Sequence, residues 1–295
     1  MKQISKKTDF RLIDKISIAY LLLNILYIVF GWQHVDKPFF NLVTFIALAA
    51  LIPVIIKIQK SFDTKLTRFL KNFYPIIYFT YLFEATSAVN NVIFKNDLDF
   101  FFQKIDFLIF GYQPAIVWGK VLDSWFFQEF FHFAYFSYYL MIIFIPIYFY
   151  LKKSKRNFNE LVFSLSLLFY FCYLLYMVLP VVGGRTFSGI DQIVTTYEHG
   201  PFSRIMAFIY RNTAHRGGAF PSSHVAVAVL LALFSFNINR FWGWLLFFTS
   251  VMLSFSTVIC HYHYFIDVIF GFPLGILFYF IGKDIFKRFN RQVYE

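Results

Sequence analysis

Eight apolar runs mark this chain, at about 16–32, 39–56, 73–94, 127–150, 161–179, 223–236, 242–258 and 264–281. Each is bounded by basic clusters, turn residues or both. About 20 apolar residues let a helix cross the hydrocarbon of a bilayer. Inside it every backbone polar group must be bonded within the protein. The runs at 223–236 and 264–281 lie at the short end of that requirement. The pattern predicts an all-α integral membrane protein of about eight transmembrane helices.

Composition agrees. Hydrophobic residues make up 59% and charged residues 15% of the 295, against about 45–50% and 25% in soluble domains. The first run follows Lys2, Lys6, Lys7, Arg11 and Lys15 and has no small-residue cleavage site after it, which predicts a retained helix. The net charge of +11 raises nucleic acid as a partner, but its distribution argues against that. With the N-terminus inside, cytoplasmic segments hold 19 Lys and Arg against 6 Asp and Glu, and outer segments, counting Glu129 at the edge of the fourth run, hold 8 against 8. This is the positive-inside asymmetry. It predicts a multi-pass cell-membrane protein with both termini cytoplasmic, the lipid bilayer as partner and no nucleic acid. Cys172 and Cys260 are expected as buried small apolar residues without a disulfide. Nothing in the sequence speaks to oligomeric state.

Glu84, Asn90 and Asn91 fall in the third run, where polar groups face the bundle interior and are expected to bridge helices. Residues 95–126 break the pattern. Phe100, Phe101, Phe102 and Trp118 alternate there with Asp97, Asp99, Lys104 and Asp123, as in amphipathic segments lying in the interface. Residues 1–72 then read as a two-helix membrane extension, and residues 73–295 as a six-helix bundle with 95–126 as its interfacial segment.

The same topology brings four chemically capable residues to the outer face. His263 and Asp267 are one helical turn apart and share a face. A carboxylate so placed fixes the imidazole tautomer and leaves the other nitrogen free as a nucleophile. His261 lies off that face and is expected to support the site or to lie at the interface. Pro221-Ser222-Ser223-His224 reads as a helix start, with serine as cap. A helix start after a Gly-rich loop offers N–H groups to phosphate, and His224 there can give a proton to a leaving oxygen. Arg185, after Gly183 and Gly184, suits bidentate binding of phosphate oxygens. Together these describe phosphoryl transfer through a phosphohistidine, with no metal and no other cofactor.

Gly218-Ala219-Phe220-Pro221-Ser222-Ser223-His224 and His263-Tyr264-Phe265-Ile266-Asp267 resemble the second and third signatures of the type-two phosphatidic acid phosphatase superfamily. The variant is most similar to the inositol phosphorylceramide synthase branch, which the Ser256-Thr257-Val258 lead-in and the segment from Asp106 to Pro114 also resemble. The resemblance implies His263 as nucleophile, Asp267 as its orienting carboxylate and His224 as general acid. It implies Arg185, Ser222, Ser223 and Gly218 as the phosphate-binding set. The implied fold is a six-helix catalytic bundle, and the implied substrate is a lipid phosphate or phospholipid on the extracytoplasmic face. Two departures stand out. Val178 and Thr257 occupy positions where many members carry lysine and arginine. Arg204, Arg211, His215 and Arg216 are the candidates to replace those cations. Two alternatives remain open: a metal-dependent hydrolase using His224, His261, His263 and Asp267, and a non-catalytic lipid transporter.

Overall fold

The computed structural model of the chain describes residues 10–184, 200–213 and 215–294. Eleven helices are described, in the order α1 (Leu12–Phe30), α2 (Pro38–Ser61), α3 (Lys65–Thr86), α4 (Asp99–Phe110), α5 (Pro114–Val121), α6 (Trp125–Lys152), α7 (Lys155–Val178), α8 (Pro201–Arg211), α9 (Ser223–Ser235), α10 (Arg240–Ile259) and α11 (Phe265–Tyr294). Extended backbone among the described residues is limited to a single parallel bridge between Val181 and Gly218. The helix starts are set locally. Thr64, Ser124, Ser154, Ser222 and Asn239 each accept the N–H of the third residue on, satisfying a donor that would otherwise have no partner in the helix.

Six helices, α1, α2, α6, α7, α10 and α11, are long and apolar enough to cross a bilayer. The other two expected runs also form helices. α3 has 22 residues but carries Lys65, Arg68, Lys71 and Glu84. α9 has 13 residues, about 20 Å at 1.5 Å per residue. The exposed surface is itself apolar, with Leu26, Phe40, Ile143 and Phe248 all outward. That suits contact with lipid rather than water.

Three boundaries differ from the sequence expectation. The third run, expected at 73–94, starts at Lys65 on its Thr64 cap and ends at Thr86. There the hydroxyls of Thr86 and Ser87 bond back to the carbonyls of Phe83 and Glu84 and close the last turn. Asn90 and Asn91 therefore lie beyond the helix, and Asn90 holds the carbonyl of Arg216 at 2.7 Å. The stretch between the runs at 161–179 and 223–236, outside every expected helix, contains α8, whose first-turn amides of Phe202 and Ser203 are accepted by Glu129 of α6. The last run continues past 281 to Tyr294. Residues 95–126 form α4 and α5, of 12 and 8 residues, too short to span.

α9 is the innermost helix. Val225 to Ala232 are fully buried, as expected of a helix that is apolar all round, and it packs on α6, α7, α10 and α11. Its approach to α11 is close. A methyl group on Gly271 would lie 2.6 Å from the Ser222 carbonyl oxygen, and one on Gly275 would lie 2.4 Å from that of Ala226. These glycines bring the start of α9 against the first turns of α11, where the candidate chemistry sits. α1 and α2 pack on each other, α1 also on α7 and α2 on α3.

Candidate active site

The turn between α10 and α11 is built on Thr257. Its carbonyl accepts the N–H groups of both Tyr262, at 2.8 Å, and His263, at 2.9 Å, and its hydroxyl bonds back to Ser254. His261 takes φ +62°, the left-handed conformation that lets the chain reverse. His263 then points inward, only 4% exposed. Its Nδ1 lies 3.2 Å from Asp267 Oδ2 and its Nε2 lies 3.2 Å from Ser222 Oγ. With the carboxylate accepting the Nδ1 proton, Nε2 is the nitrogen with the available lone pair. Asp267 is fully buried. Its Oδ2 also accepts the Tyr264 N–H at 3.0 Å, while Oδ1 has no hydrogen-bond partner among the described residues.

The start of α9 is tied to the same place. The Ser222 N–H donates to the Asp267 carbonyl at 3.1 Å. From α7, the Tyr176 hydroxyl donates to the Pro221 carbonyl at 2.9 Å and accepts the Ser223 N–H at 3.2 Å. His224 follows in the first turn, half-buried, with its ring centroid 6.1 Å from that of His263. Tyrosines of α6 surround it: Tyr138 at 4.4 Å, Tyr135 at 5.0 Å and Tyr139 at 6.3 Å between centroids.

Two carboxylates of α4 complete the frame. Asp99 accepts the N–H groups of Val182 and Gly183 at 3.0 and 2.9 Å, and the Tyr264 hydroxyl at 2.8 Å. Asp106 accepts the N–H groups of Phe265 and Ile266 at 2.7 and 2.9 Å, capping α11 from α4. Gly218 bridges Val181, and the Ala219 N–H donates to the Val181 carbonyl at 2.8 Å. Gly184 lies against the backbone of His261, with room for no more than a hydrogen, since a Cβ would be 3.0 Å from its carbonyl oxygen.

His263, Asp267, His224 and Ser222 therefore converge. Ser223 is buried behind them with its amide on Tyr176, and Gly218 lies in the approach to α9. Arg185, directly after Gly184, lies outside the described residues. His261 turns to α5 instead, where a methyl on Gly119 would come within 2.6 Å of its ring. Burial, with the charge of His132 adding to it, pushes the His261 imidazole down to about 4. Among the described residues no three His, Cys, Asp or Glu side chains gather as a metal-ligand set. Of the candidate replacement cations, Arg216 pairs with Asp97 at 2.6 Å. His215 bonds Thr86 at 2.8 Å and stacks on Phe83 at 3.8 Å. Both are engaged by α3 and the residues after it. Arg204 and Arg211 lie exposed on α8. Cys172 and Cys260 are buried and unlinked.

Residues 106–281 match the PAP2 superfamily, more than half of the chain, including His224, His263 and Asp267. The chain belongs to the PAP2 superfamily. A PA-phosphatase related-family protein of Dictyostelium discoideum is 27% identical over 119 residues, 39% of this chain and 20% of that protein. The match thus spans about a fifth of that relative's length. No solved structure gives a significant match. The superfamily match begins at Asp106, the residue that caps the helix bearing Asp267, and leaves α1 to α3 outside it.

Several site residues escaped the sequence reading of this superfamily member. Asp106 carried a signal, since it opens the segment noted for its resemblance, but no role was legible in it. Tyr135, Tyr138, Tyr176 and Asp99 carried none. They meet the histidine motifs only through packing of helices far apart in sequence.

Proposed function

We propose that this chain is a membrane-embedded lipid phosphatase or phosphotransferase that passes the phosphoryl group through a phosphohistidine on His263. The observation that carries the reading is His263 itself, with Nδ1 on a buried carboxylate and Nε2 turned to the start of α9 at Ser222. Nε2 attacks phosphorus, the P–O bond to the lipid breaks, and His224 gives the departing oxygen its proton. An oxygen of water or of a hydroxyl-bearing lipid then attacks the phosphohistidine. The P–N bond breaks, His263 Nε2 is freed, and His224 accepts the proton of the attacking oxygen. Arg185 holds phosphate oxygens through its guanidinium, with Ser222, Ser223, Gly218 and the backbone around them forming the wall of the phosphate site. Neither step calls for a metal or another cofactor.

The charge asymmetry between segments supports an extracytoplasmic site with both termini cytoplasmic. Residues 73–295 form the catalytic unit in this reading, 95–126 lie in the interface, and 1–72 are an added helix pair.

A headgroup transferase similar to inositol phosphorylceramide synthases is the second reading, favoured by position 257. Thr257 is fully buried and its polar groups build the His263 turn, so no cation reaches the phosphate from there. A phosphodiester donor brings one negative charge where a monoester brings about two, and so needs fewer cations. The test is free phosphate from lipid phosphates, beside headgroup exchange between a phospholipid donor and an acceptor such as ceramide or diacylglycerol. Histidine-dependent free phosphate supports the phosphatase. Exchange without free phosphate supports the transferase. A His263→Ala variant as active as the parent in either assay would remove both.

A further inference from the structure

Asp99 is buried at the first residue of α4, where an acid suits the helix dipole. It lies ahead of the superfamily match, which begins at Asp106. Its carboxylate also serves two distant segments. Oδ2 accepts the Val182 N–H at 3.0 Å, and Oδ1 accepts both the Gly183 N–H at 2.9 Å and the Tyr264 hydroxyl at 2.8 Å. The Tyr264 hydroxyl in turn accepts the Gln103 side-chain amide at 3.0 Å, which directs its own proton to Asp99. A carboxylate is costly to bury unless donors surround it. These donors come from residues 83 to 165 positions away.

Residues 180–184 are what the carboxylate grips. On one side the Leu98 N–H donates to the Pro180 carbonyl at 2.8 Å, next to the Asp99 bonds. On the other, Val181 bridges Gly218 and accepts the Ala219 N–H at 2.8 Å. The stretch also rests on the turn that carries His263. Gly183 has φ +102°, and a Cβ there would lie 2.5 Å from the Tyr262 carbonyl oxygen and 3.2 Å from the Ala219 Cβ. Gly183 is thus wedged between the approach to α9 and the His263 turn. Asp99 holds the wedge by its amides and the turn by Tyr264, whose own N–H donates to Asp267.

We propose that Asp99 is a positioning residue for phosphoryl transfer, fixing the spacing between the phosphate wall at Gly218 and Nε2 of His263. This role rests on the phosphohistidine reading and acts through Gly183 and Tyr264. The spacing cannot change without breaking a hydrogen bond to a charged acceptor. A phosphate resting on the wall needs one side of that spacing. A five-coordinate phosphorus, joined to Nε2 while held at the wall, needs both. Asp99 therefore favours the transition state over the bound ground state.

The test is titration calorimetry of the detergent-purified full chain with two probes. Inorganic phosphate can rest on the wall alone, whereas orthovanadate expands to five-coordination on a nucleophilic nitrogen. In the parent, vanadate should bind at least about 100-fold tighter than phosphate, and His263→Ala should abolish that preference. Asp99→Asn turns an N–H toward a donor. It should weaken vanadate about tenfold and phosphate less than about threefold. Tyr264→Phe removes the hydroxyl and leaves Asp99 on the two amides, so it should show a smaller loss of the same kind even if Asp99→Asn does not fold. Misfolded protein lowers the number of sites and leaves both affinities alone. Vanadate affinity untouched in both variants, or falling in step with phosphate, would overturn the role of Asp99 and leave the His263 reading standing. A vanadate preference absent from the parent, or surviving His263→Ala, would overturn the phosphohistidine and this role with it.

Discussion

The ring of Tyr138 lies 4.4 Å from that of His224, and Tyr135, one turn earlier on α6, lies 5.0 Å from it on the same face. Tyr135 is itself fixed, bonded to the Tyr210 hydroxyl of α8 and packed on Tyr262 at 4.3 Å. A histidine in the first turn of a helix would otherwise sample several rotamers. Here its imidazole is confined between α6 and His263.

In the proposed mechanism that confinement matters most when the leaving oxygen needs a proton from His224. General-acid catalysis contributes about 10²–10⁴-fold for a poor leaving group and little for an acidic phenol. Tyr138→Leu should therefore lower kcat on an alkyl lipid phosphate by about 10–100-fold. It should leave an activated aryl phosphate within about threefold, and KM nearly unchanged. Tyr138→Phe, which keeps the ring, should restore most of the loss. Equal losses on both substrates would mark a general packing defect.

Asp106 caps α11 from a different helix, accepting the N–H groups of Phe265 and Ile266 just ahead of Asp267. Asp106→Asn keeps one acceptor oxygen and turns an amide N–H toward a donor. The expected cost is about 1–3 kcal/mol, read as a lower melting midpoint, together with a fall in kcat as the His263–Asp267 geometry loosens. An unchanged melt and turnover would show that the first turn of α11 holds itself.

The contrast between Asp106 and Asp267 explains what was legible in the sequence. Asp267 stands four residues after His263, a spacing that marks the two as partners, although His263 lies in the turn ahead of α11 and the Thr257 carbonyl, not helical periodicity, helps aim it. Ser222 announces itself as a cap ahead of an apolar run. Asp106 serves amides some 160 residues away, and no local pattern encodes a partner so distant. The tyrosines around His224 were hidden differently. In a chain that is 24% aromatic, Tyr135, Tyr138 and Tyr139 have no contrast against their neighbours. Every apolar run forms a helix, but only six of the eight are long and apolar enough to cross a bilayer, and α3 starts ahead of its run, at Lys65, because its first turns are basic.

Gly271 offers a steric test of the α9–α11 contact. An added methyl would meet a backbone atom, the Ser222 carbonyl oxygen, at 2.6 Å, so the start of α9 must move. Ser222 and His224 would move with it, away from His263. Displacements on the order of 1 Å cost up to about 10²-fold in rate. Gly271→Ala should thus lose at least about tenfold in kcat while still melting cooperatively, measured on the same preparation. Full activity would mean that the helix pair can part without disturbing the site.

His261 gives the pH prediction. It is 4% exposed, and burial together with the charge of His132 pushes it down to about 4 from an ordinary value near 6.5. The unfolded chain therefore takes up a proton as pH falls through about 6.5, while the folded chain stays neutral there until about 4. Stability from this group is complete above about 6.5 and drains away between 6.5 and 4, by about 3 kcal/mol in all. His215, also pushed down to about 4 by burial, acts in the same window and the same direction. His261→Gln, neutral at every pH, should flatten the fall in melting midpoint over that window by roughly half without abolishing it. The slope should fall further in His215→Gln/His261→Gln. A slope untouched by His261→Gln would mean that the His261 imidazole is already protonated in the folded state or wet enough to titrate normally.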